Sequence, residues 1–242
     1  SQTIPESKLL STVMNATTGS ALKSAETESQ TLRITEIFYS LQGETRTVGL
    51  PTVFVRLTGC PLRCHYCDTE YAFHGGTSIP LESIIAEVQS HQARYVTVTG
   101  GEPLAQPNCW PLLTTLCDLG YEVSLETSGA ISVSDVDPRV VKVLDLKTPA
   151  SGESHRNIYE NIERLTAIDQ VKFVICDRTD YEWARFKLDE FDLMNRVAEV
   201  LFSPEHGQMN PTQLAEWILA DNLQVRFQVQ LHKFLWNDEP GH

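Results

Sequence analysis

The sequence predicts one α/β domain, built as an incomplete, open parallel β/α barrel. From about residue 52 to residue 230, short β-rich runs alternate with segments whose apolar residues recur at helical spacing. This alternation is typical of parallel strands joined by right-handed helical crossovers. About six such units are predicted, too few for a closed barrel of about eight. The 242 residues, 41% of them hydrophobic, suffice for one core. We divide the chain into an N-terminal extension, 1–30, and one domain, 31–242.

The elements are predicted in order from local patterns. The first two strands, 34–39 and 52–57, are β-rich runs separated by a loop that contains Gly43 and Gly49. Helices are predicted at 80–92, 110–119, 157–168, 181–193 and 212–220, where apolar residues follow helical spacing. Pro80 is favourable at a helix start, and Gly120 is a common helix end. Strands are predicted between and after the helices, at 95–99, 122–126, 140–146, 171–176, 197–202 and 225–230.

Composition excludes several classes of function. The formal net charge is −13, with 32 acidic and 19 basic residues, so the protein repels nucleic acid phosphates. No stretch approaches the roughly 20 apolar residues that span a bilayer. Residues 1–30 lack the charged start and apolar block of a signal peptide. We expect a cytoplasmic protein with a small-molecule substrate, and neither nucleic acid nor membrane as a partner.

Three of the six cysteines crowd into eight residues directly after a predicted strand. Cys60, Cys64 and Cys67 follow the pattern C-x3-C-x2-C. Three thiolates can hold three irons of a [4Fe–4S] cubane and leave the fourth iron open to a ligand. Zinc, with His65 or His74 as fourth ligand, is the alternative. The other cysteines, Cys109, Cys117 and Cys176, lie among apolar residues and are predicted to belong to the core.

With Tyr66 directly before the last cysteine, this segment resembles the radical S-adenosylmethionine superfamily. That resemblance implies a partial barrel of the radical S-adenosylmethionine type. It also implies an open iron that binds S-adenosylmethionine, which one electron cleaves to methionine and a 5′-deoxyadenosyl radical. The segment Thr99-Gly100-Gly101-Glu102-Pro103 resembles the superfamily's element at the methionine end of the cofactor. Glycines permit close backbone approach there, and Glu102 could accept from the cofactor's ammonium.

A narrower resemblance, to the 7-carboxy-7-deazaguanine synthase family, runs from about Arg33 to His242. The residues that carry it are Ser40-Leu41-Gln42-Gly43-Glu44, Arg56, Cys67-Asp68-Thr69, Glu126-Thr127-Ser128-Gly129 and Gln230-Leu231-His232-Lys233. The family converts 6-carboxy-5,6,7,8-tetrahydropterin to 7-carboxy-7-deazaguanine, with loss of ammonia, in queuosine biosynthesis. The resemblance further implies Mg²⁺, a homodimer and a flavodoxin-type electron donor.

The resemblance also implies roles for individual residues. It assigns the pterin substrate to Leu41, Gln42, Gly43, Glu44, Arg56 and Thr99. Arg56 would pair with the substrate carboxylate, since a planar guanidinium suits bidentate recognition. The S-adenosylmethionine site would include Gly101, Glu102, Ser128 and Lys147. The hydroxyl of Thr69 would bind Mg²⁺, a cation that prefers oxygen ligands, although Thr69 could equally cap the following turn.

Several positions depart from the family pattern, and other functions remain open. Thr45 stands where members often have glycine, Asp145-Leu146-Lys147 where some have Ser-Pro-Lys, and Ser203-Pro204-Glu205-His206-Gly207 where a Gln-Pro element is expected. His232 and Lys233 are equally compatible with a solvated tail and with a place in the active site. The alternatives are a radical activase that acts on a partner protein and a non-enzymatic zinc-binding protein.

Overall fold

The computed structural model describes residues 30–237, 239 and 241. The predicted extension, 1–30, therefore lies outside the described residues except for Gln30. The carbonyl of Gln30 accepts a hydrogen bond from the Leu81 N–H at 2.8 Å.

One mixed sheet of nine strands is formed by the described residues. The strands are β1 (Thr31–Leu41), β2 (Pro51–Leu57), β3 (Thr77–Pro80), β4 (Tyr95–Gly100), β5 (Glu122–Thr127), β6 (Val141–Asp145), β7 (Gln170–Ile175), β8 (Glu199–Pro204) and β9 (Arg226–Phe227). The α-helices of the same residues are α1 (Leu81–Ser90), α2 (Cys109–Asp118), α3 (Arg178–Glu190), α4 (Leu193–Arg196), α5 (Pro211–Ala220) and α6 (Leu231–Trp236).

The sheet is open and mostly parallel, which confirms the predicted fold class. Its strand order is β3-β1-β2-β4-β5-β6-β7-β8-β9. Strands β2 and β4 to β9 run parallel, whereas β1 pairs antiparallel with both β2 and β3. Seven strands run parallel, against about six strand–helix units expected. The antiparallel pairing of β1 and the short edge strand β3 were not foreseen, and β3 joins the sheet only through a non-local pairing with β1.

The helix predicted at 157–168 was wrong. The structure has a short 3₁₀ helix, Tyr159–Arg164, in its place. Ile162 and Leu165 still enter the core, which explains the helical spacing. However, the buried Asn161 amide donates to the carbonyls of Gly129 and Ile131 and accepts from the Val133 N–H. These bonds hold the segment against a neighbouring loop, and tertiary contacts of this kind override local helix propensity.

Alternation along the strands separates an apolar outer face from a polar inner face. On β4, Val96 and Val98 lie in the core beneath the helices, while Thr97 and Thr99 are buried on the opposite face. On β7 the core residues Val171, Phe173 and Ile175 likewise flank an inward Lys172. The inner face therefore supplies polar groups to a cleft at the carboxyl ends of the strands. Ligands bind at these ends in open α/β sheets.

Candidate active site

A cavity of about 240 Å³ lies at the carboxyl ends of the parallel strands. Its walls are formed by the loop after β1, the cysteine loop after β2 (residues 58–69), the ends of β4 to β8 and the C-terminal segment, which we take from Gln228 onward. All but one of the site residues suggested by the sequence line it. They are Leu41, Gln42, Gly43, Glu44, Arg56, Cys60, Cys64, Cys67, Thr69, Thr99, Gly101, Ser128 and Lys147.

The cysteine loop presents three free thiols to this cavity. Cys60, Cys64 and Cys67 are each partly exposed and take part in no disulfide. Burial raises the pKa of all three thiols, that of Cys64 to about 11. Thiolates here would therefore need a cationic partner, as a cluster provides. The donor set, three thiols of one loop facing one cavity, fits a cubane with one open iron.

His65, one of the two fourth zinc ligands that the sequence allows, lies against a neighbouring loop. The backbone N–H of His65 donates to the backbone carbonyl of Ser151 at 3.0 Å. A Cβ added to Gly152 would lie 2.9 Å from ring atoms of His65, so this ring packs on that glycine. Within 30–237, no three His, Cys, Asp or Glu side chains are close enough together to hold one metal ion.

The glycine pair at the end of β4 lets the cysteine loop approach the sheet closely. A side chain at Gly100 would overlap the Leu57 backbone, and one at Gly101 would overlap the Gly59 carbonyl and the Cys60 Cβ. The Glu102 N–H also donates to the Gly59 carbonyl at 2.8 Å. The glycines are thus required by the packing of the two loops.

Glu102 is the residue that does not line the cavity. Its carboxylate is fully buried behind the wall. It accepts from the Thr127 hydroxyl at 2.9 Å, the Ser128 N–H at 2.7 Å, the Ser128 hydroxyl at 2.5 Å and the Leu104 N–H at 3.1 Å. The Glu102 oxygens are therefore bonded to donors of the protein itself, and the two bonds from Ser128 hold that residue at the cavity wall. Contact between Glu102 and a cofactor ammonium stays a prediction.

Lys147 and Asp145 form an ion pair at the end of β6. Lys147 Nζ lies 2.8 Å from Asp145 Oδ2, and the Lys147 backbone is fixed by Asn157. Burial lowers the pKa of Lys147, but the Asp145 carboxylate more than offsets this, so the pKa is raised and the ammonium is charged. Asp145 Oδ1 is buried and accepts no hydrogen bond from any described residue. This oxygen can accept from a ligand in the cavity.

Arg56 lies deep in the cleft but already has an anionic partner. Its Nε donates to Glu36 Oε1 at 2.7 Å, and Glu36 Oε1 also accepts from the Tyr71 hydroxyl at 2.8 Å. The guanidinium carbon is 5.8 Å from the ring centroids of both Phe38 and Tyr71. Glu36 is thus the anionic partner of the largely buried Arg56, and binding of a substrate carboxylate stays a prediction.

Gln42 and Thr99 meet at a carboxylate to which the sequence reasoning gave no role. Gln42 Nε2 donates to Glu126 Oε1 at 3.4 Å, and the Thr99 hydroxyl donates to Glu126 Oε2 at 3.3 Å. These bonds are long. Burial raises the pKa of Glu126, and the nearby Glu44 raises it further. Glu126 therefore takes up a proton more readily than an ordinary carboxyl, and its long hydrogen bonds leave it able to bond a ligand.

The two oxygens of Glu44 are held by two different parts of the chain. Oε2 contacts Lys172 Nζ on β7, and Oε1 accepts from Gln230 Nε2 at 2.6 Å. Burial raises the pKa of Glu44, but the ammonium of Lys172 outweighs it and the net pKa is lowered. Lys172 and Gln230 were not among the site residues suggested by the sequence. A lysine inside an apolar strand was the available signal for Lys172.

The C-terminal segment reaches the cavity, so His232 and Lys233 are not a solvated tail. The Leu231 N–H donates to the Gly43 carbonyl at 2.9 Å. A side chain at Gly43 would overlap the His232 ring. Lys233 Nζ lies 3.2 Å from Asp68 Oδ2. The segment thereby joins the loop after β1 to the cysteine loop.

Thr69 points its hydroxyl at its neighbour and does not cap a helix. The hydroxyl donates to Asp68 Oδ1 at 2.7 Å. Thr69 precedes the 3₁₀ turn Glu70–Ala72, but its side chain makes no capping hydrogen bond to a described residue. Thr69 lines the cavity, so its hydroxyl oxygen could accept a cation there.

Thr45 has a backbone conformation that glycine adopts more readily than threonine. Its φ is +67°, a left-handed conformation that β-branched residues rarely adopt. Its carbonyl accepts from Gln228 Nε2 at 2.7 Å. The C-terminal segment therefore helps to hold this strained turn beside Glu44.

Comparison with known proteins identifies the class first. Residues 54–146 match the Radical SAM superfamily. Together with the open parallel sheet and the cysteine loop at its edge, this match makes the chain a radical S-adenosylmethionine enzyme. No helix among the described residues has both the length and the apolar character needed to cross a membrane.

The relatives narrow the class to one family. The chain is 45% identical over 222 residues to the 7-carboxy-7-deazaguanine synthase of Koribacter versatilis, covering 86% of this chain and 98% of that one. It is 42% identical over 215 residues to the enzyme of the same name from Chlorobaculum tepidum, covering 86% and 96%. The crystal structure of QueE from Escherichia coli superposes with a TM-score of 0.68 at 25% identity, covering 84% and 95%. The chain belongs to the 7-carboxy-7-deazaguanine synthase family.

Proposed function

We propose that this chain converts 6-carboxy-5,6,7,8-tetrahydropterin to 7-carboxy-7-deazaguanine, with loss of ammonia, as a radical S-adenosylmethionine lyase of queuosine biosynthesis. One observation carries the proposal. The thiols of the cysteine loop and the polar pocket around Gln42, Glu44 and Arg56 open into the same cavity. A cofactor bound at the cysteines would therefore face a substrate bound in that pocket.

The cysteine side of the cavity would hold the cofactors. Cys60, Cys64 and Cys67 would ligate the [4Fe–4S] cluster, whose open iron binds S-adenosylmethionine. When bound, this pair supplies the 5′-deoxyadenosyl radical that abstracts hydrogen from the substrate. Gly101, Ser128 and Lys147 would line the S-adenosylmethionine site, with Asp145 Oδ1 as a further acceptor.

The opposite side would hold the pterin. Gln42, Thr99 and Glu126 offer donors and acceptors to the edge of a flat ring. Leu41 and Gly43 line the same wall, and Glu44 would accept from ring N–H or amino groups. Arg56 would keep Glu36 on its Nε and turn its remaining N–H groups to the substrate carboxylate.

Further partners follow from the family resemblance. Thr69 would bind Mg²⁺ through its hydroxyl, which lies at the cavity wall. We also propose a homodimer, a flavodoxin-type electron donor and one catalytic domain over 31–242. The net charge of −13 favours a small-molecule substrate over nucleic acid.

The test is anaerobic reconstitution with iron and sulfide, followed by reductant, S-adenosylmethionine, Mg²⁺ and the pterin. We expect 7-carboxy-7-deazaguanine by mass spectrometry, lost in Cys64→Ala and retained in Cys117→Ala. Cys117 is a matched control because it is a partly buried free thiol on α2, outside the cavity. Formation of 5′-deoxyadenosine without deazaguanine would overturn the substrate and favour the activase alternative. A colourless protein that binds stoichiometric zinc would overturn the assignment of an iron–sulfur enzyme and favour the zinc-binding alternative.

A further inference from the structure

Lys172 is a buried cation inside the cleft to which the family resemblance assigns no role. It stands on β7 between the core residues Val171 and Phe173, with 8% of its surface exposed. Its ammonium contacts Glu44 Oε2, on a loop 128 residues earlier in the chain. The strand register also places it beside Asp145 of β6.

An ammonium in such a place is costly for the fold. Removing a charge from water costs several kcal/mol, and a buried ion pair often adds little stability over apolar side chains of similar size. A methionine or leucine would suit an apolar strand better. The ion pair is therefore poorly explained by folding alone.

A second buried lysine shows what a structural pair looks like in the same sheet. Lys142 on β6 is 4% exposed, and its Nζ lies 3.2 Å from Asp169 Oδ1. Neither residue lines the cavity. Lys172 and Glu44 do line it, so their pairing fixes groups that a ligand would meet.

We propose that Lys172 is a positioning residue for substrate recognition, which holds the Glu44 carboxylate in one orientation for the N–H groups of the pterin. The inference rests on the proposed function. Lys172 fixes Oε2 while Gln230 fixes Oε1, so the carboxylate cannot rotate. A carboxylate oxygen accepts more than one hydrogen bond, so both oxygens can still receive a ligand donor.

The charges around Lys172 support a division of roles between two carboxyls. Glu44 faces it from the loop after β1, Glu126 from β5 and Asp145 from β6. His232 and Asp68 also act on Glu44. Burial raises the pKa of Glu44, but the Lys172 ammonium outweighs it and the net pKa is lowered, whereas burial and the nearby Glu44 raise the pKa of Glu126. An ionised acceptor beside a more readily protonated carboxyl suits the pterin edge, which carries both N–H groups and a carbonyl.

The test compares Lys172→Met, Glu44→Gln and the double variant with the wild type. Steady-state assays give kcat and KM for deazaguanine formation, and the same reactions without pterin give uncoupled 5′-deoxyadenosine formation. We expect Lys172→Met to raise KM about 10- to 100-fold, since each tenfold reflects loss of one well-placed polar contact. Uncoupled cleavage should change less than KM for the pterin, because the direct contact of the Lys172 ammonium is with Glu44 on the substrate side. The KM of the double variant should not exceed that of the single variant with the higher KM, since the two side chains act as one unit.

Lys142→Met is the matched control. It should lower the melting temperature and leave KM unchanged. Should Lys172→Met fail to fold, the double variant, which carries no unpaired charge at this pair, is compared with Glu44→Gln alone. An equal KM in those two supports the proposal, and a further tenfold rise overturns it.

Three outcomes would separate the possibilities. An unchanged KM in Lys172→Met, with only the stability loss seen in Lys142→Met, would make the lysine structural and overturn the inference. Additive effects in the double variant would also overturn it. A wild type that cleaves S-adenosylmethionine but yields no deazaguanine would overturn the proposed function as well. The wild-type assay is therefore carried out before any variant is compared.

Discussion

Replacing Glu102 with glutamine distinguishes a structural role, in which Glu102 holds the residues behind the cavity wall, from direct binding of the cofactor. The buried carboxylate accepts from Leu104, Thr127 and Ser128, with both the N–H and the hydroxyl of Ser128 as donors. An amide of the same shape places an NH₂ group against at least one of these donors. A buried donor left without its acceptor costs about 1–3 kcal/mol. With the loss of charge at the remaining bonds, we expect Glu102→Gln to lower the free energy of unfolding by about 2–4 kcal/mol.

Thermal unfolding and cofactor binding measure the two roles separately. For a chain of this size, about 2–4 °C per kcal/mol converts the loss into a fall in Tm of roughly 5–15 °C. Glu122→Gln is the control, because this half-exposed carboxylate pairs with Arg94 on the surface and should change stability by less than about 0.5 kcal/mol. Binding of S-adenosylmethionine, measured by anaerobic calorimetry on the reconstituted protein, should weaken less than about tenfold. A Glu102→Gln variant with the wild-type Tm but far weaker binding of S-adenosylmethionine would refute the structural role and make Glu102 a direct ligand.

Three further predictions concern the substrate side of the cleft. Arg56→Lys keeps a cation beside Glu36 but loses the guanidinium fork, so KM for the pterin should rise about tenfold or more. An unchanged KM in steady-state assays would remove Arg56 from substrate binding. Thr45→Gly should raise the free energy of unfolding by up to about 1 kcal/mol, since relief of the left-handed strain exceeds the entropy of glycine. A loss in urea unfolding would contradict that balance. Glu44 has a lowered pKa, so its ion pair stabilises the fold above the ordinary carboxyl pKa and is lost as pH falls through the lowered value. The stability difference between wild type and Glu44→Gln should therefore shrink as the pH falls from above the ordinary carboxyl pKa through the lowered value, and a constant difference in urea unfolding would contradict the pairing.

The cysteine loop could be recognised from the sequence because its residues are local. Cys60, Cys64 and Cys67 lie within one loop, and their spacing implies a shared ligand whatever the rest of the chain does. Gly100 and Gly101 were expected to let the backbone approach a ligand; the structure packs Gly100 on Leu57 at the end of β2 and Gly101 on the cysteine loop, and the approach to a ligand stays a prediction. Glu102 lies in the same motif but turns into the protein, which the spacing alone cannot reveal.

The substrate side could be predicted only in part because its contacts are distant in sequence. Lys172 and Gln230 meet Glu44 across 128 and 186 residues, and this meeting depends on how the strands are ordered in the sheet. The same limit applies to the fold. Strand runs were recognised from composition, whereas Asn161 overrode a helical pattern through bonds to a loop some 30 residues away.

The most direct test of the proposed chemistry follows one hydrogen atom. The cysteine loop and the pocket of Gln42 and Arg56 line one cavity, so the reactive carbon of the pterin should meet the cofactor there. The family resemblance implies hydrogen abstraction at C6, so we would supply 6-carboxytetrahydropterin deuterated at C6 to the reconstituted enzyme and analyse 5′-deoxyadenosine by mass spectrometry. Deuterium in the 5′-deoxyadenosine, together with formation of 7-carboxy-7-deazaguanine, is the predicted result. Unlabelled 5′-deoxyadenosine in a reaction that consumes the pterin would contradict the assignment of this cleft.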